Sequence, residues 1–194
     1  EIGLGDYEIH EGGNKFIVML ASRGCPHACA FCTAPFMTER RYRVREDEEL
    51  IAEISYYVNE MGVEEIHFWD DNFFINKKRI KEVLKLLADN FPNTRFQVPS
   101  GSEINRIDDE VIDLLARANF KKVFLNVESG DEEIQKLYVD KHVKLERVPE
   151  IVSKLKARGI ITEGVHMAGF PGETKEQIDK TFSVATKNGF DRIS

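Results

Sequence analysis

Lys15-Phe16-Ile17-Val18-Met19-Leu20-Ala21-Ser22-Arg23-Gly24-Cys25-Pro26-His27-Ala28-Cys29-Ala30-Phe31-Cys32 is the stretch on which the reading of this chain turns. A short apolar run with strand character leads straight into three cysteines spaced C-x3-C-x2-C, and these are all the cysteines the chain has. An odd, tightly clustered set is poor material for disulfides and reads as a metal site. Free thiols in that number point to a reducing compartment, so a cytoplasmic location is expected. Three thiolates on one loop can reach three irons of a cubane 4Fe–4S cluster, leaving the fourth iron open to a small molecule. Zinc is the rival, with His27 completing a Cys3His set. It fits less well, because His27 lies between two ligating cysteines and no second Cys/His pair follows downstream. Three unliganded core cysteines are the remaining reading.

Outward from this loop, short apolar runs alternate with longer amphipathic ones. Strands are expected over 15–21, 65–70, 95–100, 122–127 and 160–168, and helices over 47–61, 77–90, 108–119, 131–138, 147–158 and 175–188. Ile51, Ile54, Val58 and Met61 recur at helical spacing, as do Ile80, Leu84 and Leu87. Asn76 and Asp108 stand where N-caps belong, Thr174 with Gln177 makes a capping box, and Gly159 and Gly189 stand at helix ends. Strand–helix–strand repetition implies parallel strands joined by right-handed crossovers. Residues 190–194 read as the start of a sixth strand. The expected organisation is a linker over 1–13 from an upstream region, then one core domain over 14–194 that is incomplete at its C-terminus.

Each strand has an apolar face and a face carrying polar groups, since side chains alternate along a strand. Ile66 and Phe68 oppose His67 and Trp69; Val123, Leu125 and Val127 oppose Phe124, Asn126 and Glu128; Phe96 and Val98 oppose Gln97; Val165 and Met167 oppose Gly164 and His166. The apolar faces are expected against the helices, with Gln97, Asn126, Glu128 and His166 on the concave side. This pattern fits an open barrel holding ligands at the strands' C-terminal ends, or one open, partly solvated sheet.

Composition narrows the function classes. With 42% hydrophobic and 31% charged residues in 194, the chain is a globular domain. A net charge of −7 argues against broad binding of a phosphate backbone by this segment. No apolar run approaches the roughly 20 residues of a membrane helix. The basic run Arg40, Arg41, Arg43 and Arg45 beside the cysteine loop reads as a solvated face.

With the cysteine spacing, the aromatic Phe31 before the last cysteine and the loop's place after the first strand, the chain resembles the radical S-adenosylmethionine superfamily from about Phe16 onward. The resemblance implies an α/β fold, a partial (β/α)6 TIM-like barrel of parallel strands truncated at the sixth strand. It implies an enzyme whose cluster, held by Cys25, Cys29 and Cys32, cleaves S-adenosylmethionine reductively to a 5′-deoxyadenosyl radical. Within the superfamily, Phe68-Trp69-Asp70-Asp71-Asn72-Phe73, Asn126-Val127-Glu128-Ser129-Gly130 and Gly169-Phe170-Pro171-Gly172-Glu173-Thr174 look like the cobalamin-binding branch. That implies cobalamin-dependent methylation or rearrangement of an unknown substrate, with cobalamin held by a domain absent from this chain. The last two motifs also resemble methylthiotransferases acting on tRNA or protein. Those usually carry an Arg-Gly turn after the cysteine loop, where this chain has Met37-Thr38-Glu39-Arg40. A non-catalytic iron–sulfur or zinc module is the remaining alternative. The cofactor contacts implied are Phe31 beside the cluster, Asp70 and Asp71 for the methionine ammonium, Glu128 and Ser129 for ribose or carboxylate, and Gly164 and Gly169 where backbone approaches the adenosyl group. A reductant such as a flavodoxin or ferredoxin, the substrate and flanking domains are the expected partners, with no membrane.

Overall fold

The structure is a computed structural model that describes residues 10–11, 14–100 and 102–194. The expected linker over 1–13 lies outside the described residues except for β1 (His10–Glu11), which pairs antiparallel with β2 (Asn14–Met19). After β2 come a two-residue strand β3 (Ser22–Arg23), the cysteine loop, a short helix α1 (Ala34–Thr38) and β4 (Arg43–Val44), which pairs antiparallel with β3. Then follow α2 (Asp47–Ser55), β5 (Glu65–Phe68), α3 (Lys77–Asn90), β6 (Arg95–Val98), α4 (Asp109–Arg117), β7 (Phe120–Glu128), α5 (Glu132–Tyr138), α6 (Val148–Ala157), β8 (Ile161–His166), α7 (Lys175–Lys187) and β9 (Arg192–Ile193). Strands β2, β5, β6, β7, β8 and β9 lie in that order, every pair parallel. The sixth strand anticipated at the C-terminus is β9, and among the described residues β1 and β9 are the outermost strands of the sheet.

Local chemistry explains the helix boundaries. Asn76 accepts from the Arg79 N–H, Asp108 from Val111, and Thr174 and Gln177 form both halves of their capping box. The anticipated 47–61 helix leaves α-geometry after Ser55 and closes with a wider π-turn over Tyr56–Glu60.

One face of the sheet is packed by the helices. Ile66, Phe68, Phe96, Val98, Val123, Leu125 and Val127 are fully buried with Leu50, Ile54, Leu84, Leu87, Ile112 and Leu115. Phe68, Phe96 and Phe120 stack in sequence at 5.9 and 5.5 Å, so the middle of this layer is aromatic. The opposite, concave face is polar, as its alternation predicts. His67 Nε2 and Gln97 Nε2 both meet Glu65 Oε1, and Lys122 pairs with Glu163 at 2.8 Å.

The β8 expectation is reversed. Register places Gly164 beside Leu125 and Val165 beside Asn126. In-register neighbours in a parallel pair share a face, so Gly164 belongs to the helix side and Val165 to the concave side, while His166 pairs with Glu128 beyond the slip that follows Asn126. A Cβ on Gly164 would lie 2.7 Å from His166 Cε1 and 2.8 Å from Phe190 Cδ2, so its bare Cα makes room for those rings. Burial in β8 does alternate, but the buried residues are the small Thr162 and Gly164 rather than the apolar Ile161 and Val165, which is why parity misled.

Candidate cofactor site at the strand ends

The cysteine loop lies over the C-terminal ends of β2, β5, β6 and β7, the edge where parallel βα arrays bind ligands. It enters through Gly24 at φ +88°, where a Cβ would stand 1.9 Å from Arg41 O, so only glycine fits. Two aspartates after β5 hold this entry. Asp71 accepts from the Gly24 N–H at 2.7 Å. Asp70 accepts from the Ala21 N–H at 3.1 Å and from Ser22 Oγ at 2.5 Å. Asp70 is fully buried, and that burial pushes its carboxyl up to about 6 against the pull of these donors.

Cys25 and Cys29 are buried and Cys32 is half-buried, all as free thiols. Burial raises the Cys25 and Cys29 thiols, while the positive charge of Lys141 draws both down. Beneath Cys25, Asn72 Nδ2 lies 4.0 Å from Sγ and 3.4 Å from Glu103 Oε2, and Asn72 Oδ1 is buried without a partner among the described residues. Glu103 also takes His27 Nε2 at 3.0 Å and Arg106 Nε at 2.9 Å. Burial raises Glu103, but the His27 hydrogen bond and the Arg106 charge outweigh it and hold the carboxyl below its usual range. His27 is therefore turned to a carboxylate. Among the described residues no three His, Cys, Asp or Glu side chains converge on a single metal ion. Three thiols that each take a different iron need no such convergence, and the donor set suits a cluster.

The far side of the loop rests on α5 and the turn after β8. The Ala28 N–H donates to Asp140 Oδ2 at 2.8 Å and the Ala30 N–H to Tyr138 O at 2.9 Å. Tyr138 hydroxyl donates to Pro171 O at 2.6 Å, its ring stacks on Phe170, and Phe31 meets Phe170 edge-on at 5.9 Å. Glu128, buried and left-handed at φ +65°, accepts from Lys141 Nζ at 3.0 Å, and both charges act on Cys29. Lys141 carries no motif in the sequence; the loop after α5 delivers it here.

The other anticipated contacts divide. Gly169, at φ +92°, has open space at its Cα and donates its N–H to Glu173 Oε2 at 2.6 Å. Ser129 is fully buried, accepting from the Asp131 N–H and facing Thr181 Oγ1 on α7, while Asp131 is the residue that caps α5. Ser129 thus fastens β7 to α7, and Gly164 serves the packing described above.

Comparison with known proteins follows the same lines. The family profile described as the Radical SAM superfamily matches residues 19–185. An uncharacterized methyltransferase of Pyrococcus horikoshii is 29% identical over 180 residues, covering 92% of this chain and 38% of that protein. The cytidylyl-2-hydroxyethylphosphonate methyltransferase of Streptomyces wedmorensis is 26% identical over 188 residues, covering 94% and 35%. The radical S-adenosylmethionine methyltransferase TsrM from Kitasatospora setae, solved with cobalamin and a [4Fe-4S] cluster bound, superposes with a TM-score of 0.83 at 23% identity, covering 94% of this chain and 36% of that one. The chain thus spans little more than a third of the length of these relatives.

Proposed function

The chain belongs to the radical S-adenosylmethionine superfamily of enzymes, and from that we propose that Cys25, Cys29 and Cys32 hold a 4Fe–4S cluster at which S-adenosylmethionine is reductively cleaved. The observation that carries this is the arrangement around the loop. Three free thiols lie at the strands' C-terminal edge, with a buried carboxylate, Glu128, and a half-buried ammonium, Lys141, whose charges both act on Cys29.

When bound, such a cluster would supply one electron and an iron with an open position for the amino and carboxylate donors of S-adenosylmethionine. The chain's residues bind and orient. Glu128 and Lys141 form a charge pair complementary to the zwitterionic end of the cofactor, and each can trade its present partner for one of those groups. Gly169 offers a bare backbone turn to the adenosyl part. Phe31, braced by Phe170 and Tyr138, walls the loop next to Cys32. Asp70 and Asp71 act at one remove, by fixing Ala21, Ser22 and Gly24 so that the loop is preformed. Asn72 Oδ1, the buried atom without a partner, is free to accept from a ligand beside Cys25.

The final reaction we propose is cobalamin-dependent methylation or rearrangement, with cobalamin carried outside this chain. The names of the relatives support methyl transfer. Methylthiolation is less favoured, since Glu39 and Arg40 stand where the Arg-Gly turn of that branch is expected. The test is anaerobic reconstitution with iron and sulfide, then S-adenosylmethionine and a reductant. Release of methionine and 5′-deoxyadenosine supports the reading. Intact S-adenosylmethionine beside a fully loaded and reduced cluster rejects it.

A further inference from the structure

Cys25 lies in a small polar network of its own. Two N–H donors approach its Sγ, the backbone of His27 and the side-chain amide of Asn72, whose Nδ2 lies at 4.0 Å. One carboxylate holds both of these residues. Glu103 Oε2 takes His27 Nε2 at 3.0 Å and Asn72 Nδ2 at 3.4 Å. Its other oxygen takes Arg106 Nε at 2.9 Å. Asn72 and Glu103 are 0% and 4% exposed, so bulk water does not compete for these bonds.

The carboxylate decides which way the amide points. An ionised carboxylate only accepts, whereas Asn72 carries two hydrogens on Nδ2 and lone pairs on Oδ1. With Nδ2 toward Glu103, one hydrogen goes to Oε2 and the other is left for Cys25 Sγ. Turning the amide over would set Oδ1 against the carboxylate and against the sulfur, replacing two attractions by two contacts between acceptors. The turns after β5 and β6 bring the two residues together across 31 positions of sequence.

We infer that Asn72 donates an N–H to the Cys25 thiolate of the bound cluster and raises its reduction potential, with Glu103 as the positioning residue that keeps this donor aimed at sulfur. The inference rests on the proposed function, because it needs a cluster on Cys25. Reduction takes one electron from a low-potential reductant and adds one negative charge, part of which resides on the cysteine sulfurs. A donor N–H aimed at one of those sulfurs therefore favours the reduced form. The same donors hold Cys25 in place as a ligand, since partners behind a metal-binding side chain fix its orientation.

The test measures the midpoint potential of anaerobically reconstituted, full-length protein by titration with titanium(III) citrate, read by electron paramagnetic resonance. Asn72→Leu keeps the size of the side chain and removes the donor. At matched iron content it should lower the equilibrium constant for reduction about tenfold, a fall of about 59 mV for one electron. A merely structural role would change iron uptake or unfolding and leave the potential of the loaded fraction where it was. Glu103→Gln should raise the potential less in wild type than in the Asn72→Leu background, because only in wild type does it also release the donor; equal shifts would remove Glu103 from the inference. If Asn72→Leu holds no iron, wild type labelled with nitrogen-15 in its asparagine side chains carries the test, and its reduced cluster should show a coupling to that nucleus. An unchanged or higher potential in Asn72→Leu, or no coupling in labelled wild type, overturns the inference and leaves the proposed function standing. A wild type that takes up no iron overturns the proposed function, and this inference with it.

Discussion

Replacing Asp70 with asparagine should make the protein more stable at neutral pH. The carboxylate is fully buried, and burial lifts it from an ordinary 3.8 to about 6 despite hydrogen bonds from Ser22 and Ala21. A raised carboxyl means that between pH 4 and 6 the folded protein binds more protons than the unfolded chain, so stability falls as pH climbs through this window. At about 1.4 kcal/mol per pH unit, the ionised group costs about 3 kcal/mol above pH 6 relative to its protonated form. Asparagine keeps the shape and an acceptor for the Ala21 N–H, and its amide can donate to Ser22 Oγ. Asp70→Asn should therefore gain up to about 3 kcal/mol at pH 8 and differ from wild type by less than about 1 kcal/mol at pH 4. Urea unfolding of the cluster-free protein between pH 4 and 8, wild type against variant, isolates the contribution of this one group from the other carboxylates. A variant less stable than wild type at pH 8, or a wild-type-minus-variant difference that does not change with pH, would refute the reasoning.

Other substitutions test the remaining parts of the site. Glu128→Ala should weaken S-adenosylmethionine binding by roughly 1.5–3 kcal/mol, about ten- to a hundredfold, in titrations with iron content matched to wild type. Equal affinity would assign Glu128 to the substrate or the fold. Glu39 is held left-handed at φ 52°, a region glycine enters without strain, and its exposed pair with Arg41 is worth little. Glu39→Gly should thus raise stability by about 0.5–1 kcal/mol in thermal unfolding. Gly24→Ala should displace the loop, because its Cβ would overlap Arg41 O; the expected sign is lost iron uptake with the far-ultraviolet circular dichroism kept.

The layout of the fold was legible because strand order follows from βα alternation, and several helix starts carry their own caps, as Asn76, Asp108 and Thr174 do. The location of the cysteine loop was legible for the same reason: it follows the first strand of a parallel array. What acts on the loop was less so. Lys141 lies thirteen residues beyond Glu128 in a segment with no signature, and only tertiary packing brings its ammonium to the thiols. Asp70 could be read as an acceptor at a strand end, but its donors stand 48 and 49 residues earlier, so its anchoring role required the fold. Ser129 and Gly164 match motif positions, yet the structure turns Ser129 to Thr181 and fills the space at Gly164 with His166 and Phe190. A motif fixes where the backbone goes; which side of it faces the ligand depends on register and bulges, here the slip between Asn126 and Glu128. Among the described residues no helix is long and apolar enough to cross a membrane.

Iron stoichiometry tests the central claim most directly. Anaerobically reconstituted wild type should hold about four irons per chain, with thiolate-to-iron absorption that bleaches on reduction. Cys25→Ala, Cys29→Ala and Cys32→Ala should each abolish it while the secondary structure remains. A wild-type protein that carries one zinc per chain and takes up no iron, or a Cys29→Ala variant that still assembles the full cluster, would contradict the account.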